Sequence, residues 1–155
     1  MADNFYPLIN ALTEPEQTTT KDLPLYKEIA WDFKNDTPLL NNHEFRIIEK
    51  NDAISVWIYH ALKTQKDVYP IYSDKFGNEI VDLFGENYTN ALVKSEISRY
   101  VHEALEVNEY IVRINKVEVN FSGSLLEISV DVTTIYNELE VSFVVWYSDL
   151  WTYNG

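Results

Sequence analysis

With 25 Asp and Glu in the chain, a pair of carboxylates is the first chemistry to look for. A glycosidase-like pair needs one acid whose pKa is raised by its surroundings and one ionised partner across a cleft. Glu79, Glu86, Glu96 and Glu103 are the candidates, and none sits in a context that implies burial. Glu96 and Glu103 fall instead on the polar face of a helical pattern, where carboxylates are simply solvated. The three histidines, His43, His60 and His102, are far apart and match no ligand spacing such as His-Glu-x-x-His. His102 and Glu103 are helical neighbours and point in different directions. Gly-x-Ser-x-Gly does not occur, and 4 glycines leave no phosphate-cradling loop. The chain has no cysteine, which removes thiolate catalysis, thiolate zinc sites and disulfides together. The sequence therefore assigns no catalytic, cofactor-binding or metal-ligating residue.

What remains is binding. A run of period-two residues ends at Tyr147, and an edge strand there would offer amides and carbonyls to an extended segment of a partner. Beyond it Trp146, Tyr147, Leu150, Trp151 and Tyr153 form an aromatic tail, of the kind enriched at interface centres. Val141, Phe143, Val145, Trp146, Trp151 and Tyr153 are the candidate partner-binding residues. The same tail could fold back onto the sheet as core, and both readings stand at this level.

The elements that must position this edge follow from periodicity. Residues 1–25 are polar and low in complexity around Thr13–Thr20, with Pro7, Pro15 and Pro24 biasing their predecessors away from helix. They read as an extended arm that would need a partner to lie on. Apolar groups are spaced from Leu25 to Phe33, a turn is expected over 34–38, and His43–Glu49 is β-like. Asn51 or Asp52 can cap a helix whose stripe is Ile54, Trp57, Ile58, Ala61 and Leu62. Gly77 and Gly85 bracket one or two helical turns. A second helix is expected over 89–105, with Leu92, Val93, Ile97, Tyr100, Val101, Ala104 and Leu105 on one face. From 111 the period changes to two: Val117, Val119 and Phe121 alternate with Lys116, Glu118 and Asn120. Ser122-Gly123-Ser124 signals a hairpin, followed by Leu126, Ile128, Val130 and Val132. A last run alternates Leu139, Val141, Phe143, Val145 and Tyr147 with Glu138, Glu140 and Ser142. The expected class is α+β: an antiparallel sheet with a C-terminal β-hairpin, one face covered by two main helices. The domain is expected over 26–134, with 135–155 as an additional strand and aromatic tail.

At 155 residues and 46% apolar composition one core can form unaided. A net charge of −13 and the lack of a basic cluster argue against nucleic acid and against an anionic membrane. Apolar runs are too short for a spanning helix, and Met1-Ala2-Asp3-Asn4 begins no secretory signal. Synthesis in a reducing cytoplasm is the expectation.

Trp31-Asp32-Phe33, the stretch Ala53–Thr64, Val68-Tyr69-Pro70-Ile71-Tyr72, Lys75–Ile80 and Glu96–Leu105, taken in order with the hairpin after them, resemble the baseplate wedge, or sheath-initiator, family of contractile tails. The resemblance covers roughly residues 25–134 and is nearest to the branch found in defective prophages and tail-like bacteriocins of Gram-positive bacteria. It implies a structural subunit without cofactor, six copies ringing the tube at the bottom of the sheath, with a sheet to which arms of the first sheath ring add. Sheath protein, tail tube or hub protein and baseplate wedge proteins are the partners implied, and the assembled tail particle, phage or bacteriocin, is the location after synthesis in the bacterial cytoplasm. A wall-degrading tail enzyme, suggested by the family's lysozyme-related label, and a wedge adaptor that does not touch sheath are the alternatives. The family's Glu-Pro-Arg before the hairpin is replaced by Asn108-Glu109-Tyr110, so no contact is carried over from that motif.

Overall fold

The computed structural model describes residues 22–66, 71, 75–83, 88–123 and 125–146. Residues 1–21 of the arm expected over 1–25, and the tail beyond Trp146, lie outside them.

Six short strands open the fold: β1 (Lys27–Ile29), β2 (Trp31–Asp32), β3 (Thr37–Pro38), β4 (Leu40–Asn41), β5 (Glu44–Phe45) and β6 (Ile47–Glu49). They form antiparallel ribbons in which β1 pairs with β6, β2 with β3 and β4 with β5. The ribbons meet at Ala30, Leu39 and Arg46, whose backbones bond in a closed cycle. Ala30 N–H donates to Arg46 O (2.7 Å), Arg46 N–H to Leu39 O (3.0 Å), and Leu39 N–H to Ala30 O (2.8 Å). The centre is tight, and Ala30 is only 3% exposed there. Local chemistry makes the turns. The Asp32 carboxylate accepts from the backbone N–H groups of Lys34 and Asn35, an Asx-type turn. Asn42 and His43 have φ of 49° and 69°, the signs a two-residue hairpin loop of type I′ requires at both positions.

Helix α1 (Lys50–Lys63) follows directly. It buries Ala53, Ile54, Val56, Ile58, Tyr59, Ala61 and Leu62, more than one stripe, because it touches β1 and β6 as well as the elements that come later. The expected Asn51 or Asp52 cap is not made: Glu49 holds the N-cap position without a side-chain bond, and Asn51 is used elsewhere. The other end is closed from a distance. The buried Asn78 amide lies within hydrogen-bond reach of the carbonyls of Ala61, Leu62 and Thr64 at 2.9–3.0 Å, satisfying groups a helix end leaves orphaned. Gly77 before it has φ of 101°, and a Cβ there would stand 2.8 Å from Thr64 O. Only glycine fits. The expected short helical turn between the glycines is a 3₁₀ turn, Ile80–Leu83.

Helix α2 (Asn90–Leu105) starts at Thr89, whose hydroxyl accepts from Leu92 N–H at 3.3 Å. Ile97, Val101, Ala104 and Leu105 are buried. Leu92, expected on the same face, is 45% exposed, because the first turn lies outside the stretch that is fully covered. Strands β7 (Ile111–Ser122), β8 (Leu125–Thr134) and β9 (Glu138–Trp146) make one antiparallel sheet in the order β7-β8-β9. Leu126, Ile128, Val130 and Val132 of β8 are at most 1% exposed, under α2 on the β7 side and α1 on the β9 side. The α+β class and the helix-covered face are as expected.

A polar latch ties the strand ribbons to α1. Asp36, at φ 54°, accepts from Trp31 Nε1 (3.0 Å), Tyr59 Oη (3.0 Å) and Lys63 Nζ (3.1 Å), while His60 meets Trp31 edge-on with ring centroids 4.5 Å apart. Burial pushes Asp36 up, but the bonds from Trp31 and Lys63 and the lysine charge outweigh it and hold the carboxyl below its ordinary 3.8. Burial lowers His60 from 6.5. Both folded values are depressed, so each group's contribution to stability is complete above its ordinary value and is lost as pH falls through the folded one.

Acid titration of thermal stability is expected to show a decline beginning below pH 6.5 and a further one below pH 3.8. His60→Gln should flatten the first and Asp36→Asn the second. Independently, Ile58→Ala, at a site with 0% exposure, should cost about 2–5 kcal/mol in urea unfolding.

Candidate functional site: an open sheet edge

The carboxylates considered for catalysis do not come together. Glu96 and Glu103 are held by one guanidinium, at 2.6 and 2.7 Å from Arg99, which makes them a solvated ion-pair triad on α2. Glu79 is partly exposed beside the 3₁₀ turn, and Glu86 lies outside the described residues. Among the described residues no three His, Asp or Glu side chains are grouped to hold a metal, and no helix is long and apolar enough to cross a membrane.

The sheet has two edges, and they differ. Strand β7 is interrupted twice against β8: Ile111 pairs with Thr134 but Arg113 with Thr133, and Ile114 with Val132 but Lys116 with Asp131. Val112 and Asn115 are the extra residues, each a β-bulge that bends the strand and spoils it as a pairing template. The second bulge is fastened by Asn115, which bonds Arg113, Asp131 and Thr133. Strand β9 has no such break. Its residues from Glu138 to Trp146 pair one for one with Thr133 back to Leu125. Among the described residues no strand pairs with its outer side.

The alternation of antiparallel pairs says which groups are offered. Thr134 N–H donates to Asn137 O at 3.0 Å, so the next pair, Thr133 with Glu138, is the kind that turns its amides and carbonyls outward. By the same alternation Glu138, Glu140, Ser142 and Val144 present their backbones to the open side. The Glu138 carbonyl is already engaged: Asn51 Nδ2 donates to it at 3.2 Å. The free template therefore begins at Glu140.

Val141 and Phe143, expected at a partner surface, are each 6% exposed and turned into the core, where Phe143 meets Tyr59 with centroids 5.9 Å apart. Their side chains hold β9 in place and its backbone faces outward. Val145 and Trp146 continue the pairing, opposite Leu126 and Leu125. Trp151 and Tyr153 lie outside the described residues.

Two features had no clear signal in the sequence. The first is an apolar patch on the ribbons: Leu40 and Phe45, paired across β4 and β5, are each 57% exposed, and Ile47 two residues on is 55% exposed. The second concerns Asn108-Glu109-Tyr110. Asn108 is buried and its side chain accepts from Tyr110 N–H at 2.9 Å, making the turn from α2 into β7. Tyr110 then packs between Tyr26 and Tyr136 and donates to Pro24 O at 2.9 Å. Tyr26 N–H donates to Tyr136 Oη at 2.9 Å. Burial, with Glu28 adding to it, pushes the Tyr26 phenol upward. This triad pins the chain just before β1 to the turn after β8.

Among the described residues the chain is a helix-backed sheet with one bulged and one regular edge and no catalytic grouping. The comparisons name the family. The chain belongs to the contractile injection system sheath initiator family, whose sequence profile matches residues 27–137. It is 34% identical over 95 residues to phage-like element PBSX protein XkdS of Bacillus subtilis (strain 168), covering 61% of this chain and 67% of that protein. Its role is structural, in a contractile tail or baseplate, as part of the assembled particle. Strand β9 lies just beyond the span matched by the family profile.

Asn51 also accepts from the buried Thr134 hydroxyl at 2.6 Å, joining α1 to the β8–β9 turn. Asn51→Ala should therefore cost about 1–2 kcal/mol in denaturant unfolding, with hydrogen exchange accelerated first at the β8–β9 turn. Tyr136→Phe should cost about 1 kcal/mol by leaving Tyr26 N–H without its acceptor.

Proposed function

We propose that this chain starts the sheath: six copies ring the tail tube at the baseplate, and each accepts an extended segment of a sheath subunit as an additional strand beside β9. The observation that carries this reading is the contrast between the edges: among the described residues β9 is regular and unpaired on its outer side from Glu140 onward, and β7 is broken by bulges at Val112 and Asn115. A protein that only needed to fold would gain by blunting both edges. Strand addition draws its affinity from main-chain bonds, and the burial of Val141 and Phe143 keeps the template rigid.

A ring in turn requires a head-to-tail contact that closes by rotation. The exposed Leu40, Phe45 and Ile47 supply a surface separate from β9 for it, or for a wedge protein in the baseplate. Tube or hub protein is then the neighbour inside the ring. On this reading the subunit works without catalysis. The wall-degrading alternative would require an acid and a nucleophile across a cleft, and the two helix carboxylates are instead paired with Arg99.

Proline gives a selective test. At Ser142 it removes an outward amide, a position an edge strand tolerates, together with the exposed hydroxyl bond to Ser129 Oγ at 2.7 Å, whereas at Phe143 it would remove a donor to β8. Particles carrying Ser142→Pro are expected to assemble tube and baseplate but no sheath, with the purified variant keeping its melting cooperativity. Full-length sheaths on such particles would overturn the reading. Full sheaths on particles lacking the gene altogether, with killing lost, would favour the enzyme.

A further inference from the structure

An inference about the partner strand follows from what flanks the open backbone, and it rests on strand addition at β9. The outward-facing side chains along this edge are Glu138, Glu140, Ser142 and Val144, all exposed. Glu140 lies directly opposite Asp131 of β8, in a pair of the closely spaced, non-hydrogen-bonded kind. Like charges so placed repel. The nearby cation on the sheet, Lys116, is in register with Asp131; its ammonium makes its ion pair with Glu118 at 2.6 Å and reaches Asp131 and Glu140 only through weaker, longer-range attraction. Among the described residues no cation lies within ion-pair distance of Glu138 or Glu140. The opposite face of β9 is apolar throughout, with Leu139 packed against the core and Val141 and Phe143 within it.

We infer that the strand accepted by β9 alternates basic and apolar residues, its Lys or Arg side chains lying beside Glu138 and Glu140 and its apolar ones continuing the core face beside Leu139 and Val141. The basic residues relieve the Asp131–Glu140 repulsion, which acidic residues would deepen. The same carboxylates keep two copies from pairing β9 to β9, because each would bring its own unbalanced glutamates to the joint. The edge is thus open to one class of strand and closed to its own kind.

The test uses the full-length ¹⁵N-labelled chain and two synthetic peptides, one alternating Lys with Val and one alternating Glu with Val. Amide exchange is read at Glu140, Ser142 and Val144. The Lys peptide should slow exchange at these amides, with affinity falling as salt is raised, and the Glu peptide should not. Glu138→Gln and Glu140→Gln should each weaken the Lys peptide about two- to fivefold. Equal protection by the Glu peptide would overturn the charge selection while leaving strand addition standing. Protection by neither peptide, or Lys-peptide binding that leaves these amides unprotected, would count against the inference and against β9 as the accepting edge.

Discussion

The burial of α1 on more than one side is the constraint on which the rest of the molecule depends. A helix with one apolar stripe needs one neighbour, but Ala53, Ile54, Val56, Ile58, Tyr59, Ala61 and Leu62 are all buried, so this helix must be enclosed. The strand ribbons enclose it on one side, with the Asp36 latch fixing their position, and α2 with β9 on another. Its first turn holds the β8–β9 turn through Asn51, and its last is closed by Asn78. The position of β9, and hence of the open edge, is inherited from this one buried helix.

The two edges of the sheet express a division of labour. Bulges at Val112 and Asn115 cost pairing but make β7 unfit for addition. The regular register of β9 does the reverse. Edge strands are ordinarily a hazard that proteins hide. Here one edge is broken by bulges and the other keeps an unbroken register, backed by core and rimmed with carboxylates. On the proposed reading that asymmetry would give the assembly a direction: a strand adds on one side of each subunit, so growth proceeds one way from a base.

Much of this was legible in the residues. The period-two runs marked β7, β8 and β9, and the three- and four-residue spacing marked both helices, because those patterns are local consequences of one-sided burial. The three-ribbon junction was not legible, since it depends on a cycle of long-range backbone bonds among Ala30, Leu39 and Arg46; only the turns left traces, in Asp32, Asn42 and His43. Asn51 carried an N-cap signature and was drawn off to Thr134, a tertiary bond that no local rule anticipates. The site was legible as a strand but not as a face. Val141 and Phe143 mark where β9 runs, while the surface it offers is the backbone between them, and the bulges that set it apart from β7 arise from register. The apolar Leu40, Phe45 and Ile47 gave no signal because alternation in such short strands does not tell inside from outside.

The most direct measurement is cryo-electron microscopy of the intact, uncontracted particle at the junction of baseplate and first sheath ring. The account predicts six copies of this chain around the tube, each with a sheath segment hydrogen-bonded along the outer side of β9 from Glu140 toward Trp146. A sheath ring that touches this chain elsewhere, with the β9 edge in solvent or paired to a protein other than sheath, would contradict it.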